Sequence, residues 1–251
     1  MAMMRLNAKQ VLARHDKALT KKEDFRSLYD EAYEFALPQR NLYDGYYDGG
    51  VQGQKKMNRV FDSTAINSTQ RLANRMQSGI FPPQRKWCRL QPGSDIPQDR
   101  KAEAQAALDV YNDKLFDTLK QSNFDIAIGE FLLDLCVGTA VMLVQPGDDT
   151  NPINFISVPQ FLVAFDEGAN GQVDNVYRRM KLKAESIQRQ WPDAEIPAEL
   201  KNLIDQKPTE EVELVEATVF DPERGDYCYH VIEKRSKTEL VYRRMDHTPW
   251  I

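Results

Sequence analysis

The sequence predicts an α+β fold, with N-terminal helices packed on a C-terminal, mostly antiparallel β region. Two observations carry this. Up to about residue 138, apolar residues recur at spacings of three and four, the period of a helix face. From Thr139 onward the spacing moves toward two, and turn-forming clusters such as PGDDTNP and DEGANG divide the runs. A length of 251 residues suits one to two domains with a sizeable core. The expected division is 1–138 as a mainly helical part with an exposed loop at 41–56, and 139–251 as a β-rich part with a small helical insert near 183–204.

In order along the chain, Val11, Leu12, Leu19, Phe25, Leu28, Tyr29, Ala32, Tyr33 and Ala36 mark helical faces that end at Pro38. Thr20-Lys-Lys-Glu23 matches a capping box and predicts a second helix starting there. The stretch NLYDGYYDGGVQGQKK has four glycines and no period, which reads as a loop. Asp62 is placed to cap the next helix, whose apolar face is Ile66, Ala73, Met76 and Ile80. Arg71 and Arg75, four apart, share another face. Gly79 suits a left-handed position past the helix end, and Pro82 and Pro83 forbid continuation. A third helix is expected from about Gln98 to Lys120, and a buried fourth from about Asn123 to Gly138. TAVMLV, INFISV, FLVAF and VDNVYRRMK read as strands, with Asn170-Gly171 marking a hairpin. AESIQRQW and PAELKNLI read as the helical insert. VELVEATVF, YCYHVIEKR and TELVYRR complete the β region.

The net charge of −5 conceals an uneven distribution. Between Gly53 and Leu90 there are eight cations, Lys55, Lys56, Arg59, Arg71, Arg75, Arg85, Lys86 and Arg89, against Asp62 alone. A basic stretch on an acidic chain points to local electropositive contacts. Cys88, Cys136 and Cys228 are isolated, which excludes a disulfide framework and fits a reducing compartment. The N-terminus has no signal-peptide core. The apolar run IAIGEFLLDLCVGTAVMLV contains Glu130, Asp134 and Gly138, so it reads as a buried helix followed by a buried strand and not as a membrane span.

No catalytic constellation emerges. His15, His230 and His247 are far apart, GGVQGQKK lacks the phosphate-loop spacing, and no nucleophile elbow occurs. Asp148-Asp149 and Asp166-Glu167 sit in hairpin turns, where turn chemistry accounts for them. No cofactor, metal site or catalytic residue is therefore expected. The basic segment stands out instead. Arg71, Arg75, Arg85, Lys86 and Arg89 suit phosphates or a subunit interface, although on composition alone a solvated helix face is the simpler account. Gly79, Pro82, Pro83 and Trp87 are expected to be structural: the turn sends the chain back as a strand that Trp87 anchors in the core.

Four stretches, taken in order, resemble a known family. They are VLARHDKALTKKEDFRSLYDEAYEFALP, DSTAINSTQRLANRMQSGIFPPQRKWCRL, NFDIAIGEFLLDLCVGTAVMLV and INFISVPQFLVAFDEGANGQVDNVYRRMKL. Their order is similar to the portal proteins, or head-to-tail connectors, of short-tailed, T7-like bacteriophages. The resemblance implies a non-enzymatic ring, typically of twelve copies, at a capsid vertex. Double-stranded DNA is packaged and ejected through it. Terminase, capsid or scaffold proteins and tail adaptors are the implied partners, with no membrane. The implied location is the virion, and the bacterial cytoplasm during assembly. The likeness covers the outer wing; the stem, clip and crown of the family have no counterpart in these residues. The residues alone leave open a metal-dependent nucleic-acid enzyme, or a bacterial adaptor that binds acidic partners through residues 53–90.

Overall fold

Helices come first and a five-stranded antiparallel sheet comes last, in a mixed α+β arrangement. The computed structural model describes residues 6–40, 60–148, 150–169 and 171–251. The predicted loop at 41–56, the cations Lys55, Lys56 and Arg59, and Asp149 and Asn170 lie outside the described residues. The chain divides into two compact units. A sheet unit combines Met1–Leu28 with Gln160–Thr248, and a helical unit combines Tyr29–Pro159 with Pro249–Ile251.

In the sheet unit, α1 (Ala8–Glu23) opens with a capping box formed by Asn7 and Gln10. The predicted box at Thr20–Glu23 does not form. Thr20 is inside α1, and its hydroxyl donates to the Asp16 carbonyl at 2.9 Å. A helix start needs amides that no earlier carbonyl has claimed, and those of residues 20–23 are already spent in α1. The break instead falls at Asp24–Phe25, before α2 (Arg26–Ala36).

The sheet comprises β3 (Val163–Glu167), β4 (Val173–Lys183), β5 (Glu211–Asp221), β6 (Asp226–Glu233) and β7 (Thr238–Met245), each pairing with the next. Alternation along β5 sends its side chains to two different partners. Val215, Ala217 and Val219 meet Val11 and Leu12 of α1, together with Tyr177 and Ile232. Val212 and Leu214 meet Trp191 and the insert helices α6 (Ala184–Gln190) and α7 (Ala198–Gln206). On that second face Glu216 is fully buried. It accepts from the Tyr229 hydroxyl at 2.7 Å, which in turn accepts from Trp191 Nε1 at 3.0 Å. Burial, and then the Glu216 carboxylate, push the Tyr229 hydroxyl's pKa well up. The tight turns need positive φ at Gly171 (71°) and Gly225 (70°), conformations that glycine adopts without a steric cost.

The helical unit holds α3 (Thr64–Ile80), α4 (Lys101–Gln121), α5 (Phe124–Val137) and a hairpin of β1 (Met142–Pro146) and β2 (Ile153–Ser157). Its core gathers Ala73, Ala127, Ile128, Leu132, Met142 and Phe155. The long apolar run splits at Gly138 into α5 and β1 as expected, and no helix among the described residues is long and apolar enough to cross a membrane. The fourth helix is less buried than its composition predicts: Ile126 is 72% and Leu135 42% exposed. Asp134, fully buried, receives Arg40 Nε at 2.8 Å and Nη2 at 2.5 Å, and Glu130 holds Nη1 of the same guanidinium at 3.1 Å. Burial works against the charge on Arg40, but Asp134 and Glu130 outweigh it and raise its pKa. This pair fixes the residues after α2 against α5.

Candidate interface around the basic segment

Asp62 opens the site. Its Oδ1 accepts from the Thr64 amide at 2.9 Å and from the Thr64 hydroxyl at 2.8 Å, so the first free amide of α3 is occupied. The same bonds hold the Asp62 carboxyl below its usual pKa. Thr69 and Ala73 face inward, while Arg71 and Arg75 are exposed. Gly79 does not take the left-handed position expected of it. It lies within α3, and the helix ends one residue later with the Phe81 amide still donating to the Gln77 carbonyl. Pro82 and Pro83 then have no amide to offer, and Arg85 N closes a turn on the Pro82 carbonyl at 3.1 Å.

No strand follows this turn; residues 86–93 run without regular structure. Trp87 is 36% exposed and so is not a core anchor. It is a clasp between helix ends. Its ring meets Phe81 edge-on at 5.0 Å and Phe116 edge-on at 5.4 Å, and stacks on Phe124 at 5.9 Å. Those rings belong to the end of α3, to α4 and to the start of α5. A helix continuing past Ile80 would carry Trp87 away from the other two, and the prolines prevent that.

The five cations divide. Lys86 pairs with Asp113, and Arg89 grips Asp109 with Nε at 3.0 Å and Nη2 at 2.8 Å. Gln105 joins Asp109 at 2.8 Å and the Leu90 carbonyl at 3.1 Å, lacing the extended segment along α4. The bond to Arg89, and then Gln105, lower the Asp109 pKa, and the same bond raises that of Arg89. Arg71, Arg75 and Arg85 are exposed, with no ion pair among the described residues. The acids that claim Lys86 and Arg89 escape a reading focused on the basic stretch. Their spacing at 109 and 113 on one helix face was the available signal.

Over residues 8–251 the chain matches the family model described as bacteriophage head to tail connecting protein. The chain belongs to that family. No curated protein matches it. The connector is thus a structural component of the phage virion, and its family places it among head and tail components.

The acids of the connector's turns do structural work. Asp148 Oδ1 accepts from the amides of Thr150 (2.9 Å) and Asn151 (2.7 Å), the turn chemistry expected of it. Asp166 and Glu167 lie at the end of β3 and not in the turn expected for them, because both pair with β4; Asp166 takes Lys21 at 3.4 Å. His15 is fully buried, and burial lowers its pKa; His230 is buried too, with Nδ1 2.6 Å from Glu239. Among the described residues no group of three or more His, Cys, Asp or Glu side chains is arranged to hold a metal ion.

Proposed function

We propose that the connector acts as the wing of a portal of the T7-like type: a subunit that sits beside copies of itself in a ring at a capsid vertex. Double-stranded DNA passes through that ring in packaging and ejection, with terminase on one side and tail adaptors docking later. Family membership across residues 8–251 supports this reading. The observation that carries it is the uncovered apolar surface of the helical unit. Leu72 and Ile80 on α3, Val110 and Tyr111 on α4, and Ile126 on α5 are each at least 50% exposed. These side chains are available for burial against a neighbouring subunit. In this reading residues 1–138 and 139–251 are the helical and β-rich parts of one wing, and stem, clip and crown have no counterpart assigned within residues 1–251. Arg71, Arg75 and Arg85 face a neighbouring copy or the DNA. Lys86, Arg89, Gly79, Pro82, Pro83 and Trp87 shape the surface that presents them.

The test is the mass of the assembled particle. Sedimentation and negative-stain microscopy are expected to find closed rings whose mass is an integral multiple of 28.9 kDa. A chain that stays monomeric at every concentration, or one that cleaves plasmid DNA in the presence of a divalent metal, counts against the proposal.

A further inference from the structure

The sheet unit has a groove that the fold itself does not use. It lies where α7 meets the start of β5 and the turn between β6 and β7, and it encloses about 1170 Å³. Part-exposed Leu203 gives it an apolar floor, with the edges of the buried Leu200 and Val212 beneath. Its lining has five glutamates against Lys234 and Arg235, and Lys207 pairs with Glu210 at 3.1 Å, which leaves a surplus of two negative charges. Lys234 is already held by Glu213 at 2.8 Å. Glu199 and Glu211 are exposed and have no ion pair among the described residues. An occupant must therefore bring positive charge together with an apolar side chain, and the same negative charge repels nucleic acid.

The sequence supplies such a surface itself. On α3, Arg71, Leu72 and Arg75 project from one arc of about 100°. Both arginines lack an ion pair among the described residues, and Leu72 is 50% exposed. Ser68 and Gly79 fall on the same arc, and a Cβ added at Gly79 would meet nothing within 4 Å, so the arc leaves room for close approach. A ring closes through heterologous contacts, in which each copy presents two different and complementary surfaces. We infer that α3 of one copy docks in the acidic groove of the next. Leu72 rests on Leu203, while Arg71 and Arg75 meet Glu199 and Glu211. This interface rests on the ring proposed above.

A charge swap tests it. Arg71→Glu with Arg75→Glu, and separately Glu199→Arg with Glu211→Arg, are each expected to weaken self-association about tenfold or more, because like charges then face each other. All four changes in one chain restore opposite charges at every contact. They are expected to bring association back to within about threefold of the wild type. Sedimentation velocity and native mass spectrometry read both effects, and circular dichroism checks the fold of each variant. Rescue by the fourfold variant supports the docking, since a misfolded surface is not repaired by further substitutions. A wild-type ring that either double variant leaves intact overturns this interface alone and leaves the groove to another basic partner. A fourfold variant that fails to reassemble overturns it too. A wild-type chain that never assembles overturns the ring and the interface together.

Discussion

The sheet unit and the helical unit solve the same burial problem to different extents. In the sheet unit, α1 covers one face and α6 and α7 cover the other, so the strands are sealed on both sides. In the helical unit, α3, α4 and α5 share a small core and leave much apolar surface uncovered. Of the thirteen exposed large apolar side chains among the described residues, ten belong to the helical unit. The contrast is one of degree: the sheet unit buries both faces of its strands, whereas the helical unit leaves more large apolar side chains exposed.

The contrast breaks most readily at Arg40. Arg40→Met leaves Asp134 buried without its counter-charge and is expected to cost about 3–5 kcal/mol. Hydrogen exchange should register the loss in α5 and β2, with β5 and β6 unchanged; equal loss in the sheet would mean that the two units do not respond separately. Next comes Trp87→Ala, at about 2–3 kcal/mol, below the full value for a buried aromatic because the ring is partly exposed. Urea titration followed by circular dichroism measures it, and a loss below about 1 kcal/mol would deny the clasp its role. Third is Tyr229→Phe in the sheet unit, which removes the partner of Glu216 Oε1 and of the Trp191 N–H, leaves Arg178 on Oε2, and is expected to cost about 1–3 kcal/mol. The emission of Trp191 follows that loss from within the affected core.

The smallest effect sharpens the comparison through pH. Lys22 donates to the carbonyls of Gln160 and of Val163, the latter at 2.7 Å. Burial, and then Arg179, lower its pKa to about 7. From pH 7 up to the usual lysine value, the unfolded chain holds more protons at this amine than the folded one. The stability of the sheet unit therefore rises with pH across that window. Lys22→Met should flatten the rise, as read from denaturation midpoints at a series of pH values. An unchanged slope would mean that the amine stays charged in the fold.

Much of this architecture was legible in the sequence because period and punctuation agree. The helix that ends before Gly138, the meander from Val163 to Met245 and the insert at α6 and α7 follow from spacing together with turn residues. Local patterns with two physical uses did not resolve. Thr20–Glu23 has the letters of a capping box, but α1 had already claimed those amides. Gly79 has the chemistry of a helix terminator, but the prolines three and four residues later do the terminating. The basic segment was visible as a charge count. Its division into braced and free cations depends on Asp109 and Asp113, twenty or more residues away in sequence, which no local window contains.

The chain order of the two units carries a cost in time. The sheet that α1 needs as its partner is synthesised late: the helix is made at residues 8–23, and its sheet is completed only at Met245, with the helical unit translated in between. At ribosomal rates of about 5–20 residues per second, Val11 and Leu12 stay without their sheet for roughly 10–45 s. During synthesis α1 is thus a segment in need of shelter on the ribosome.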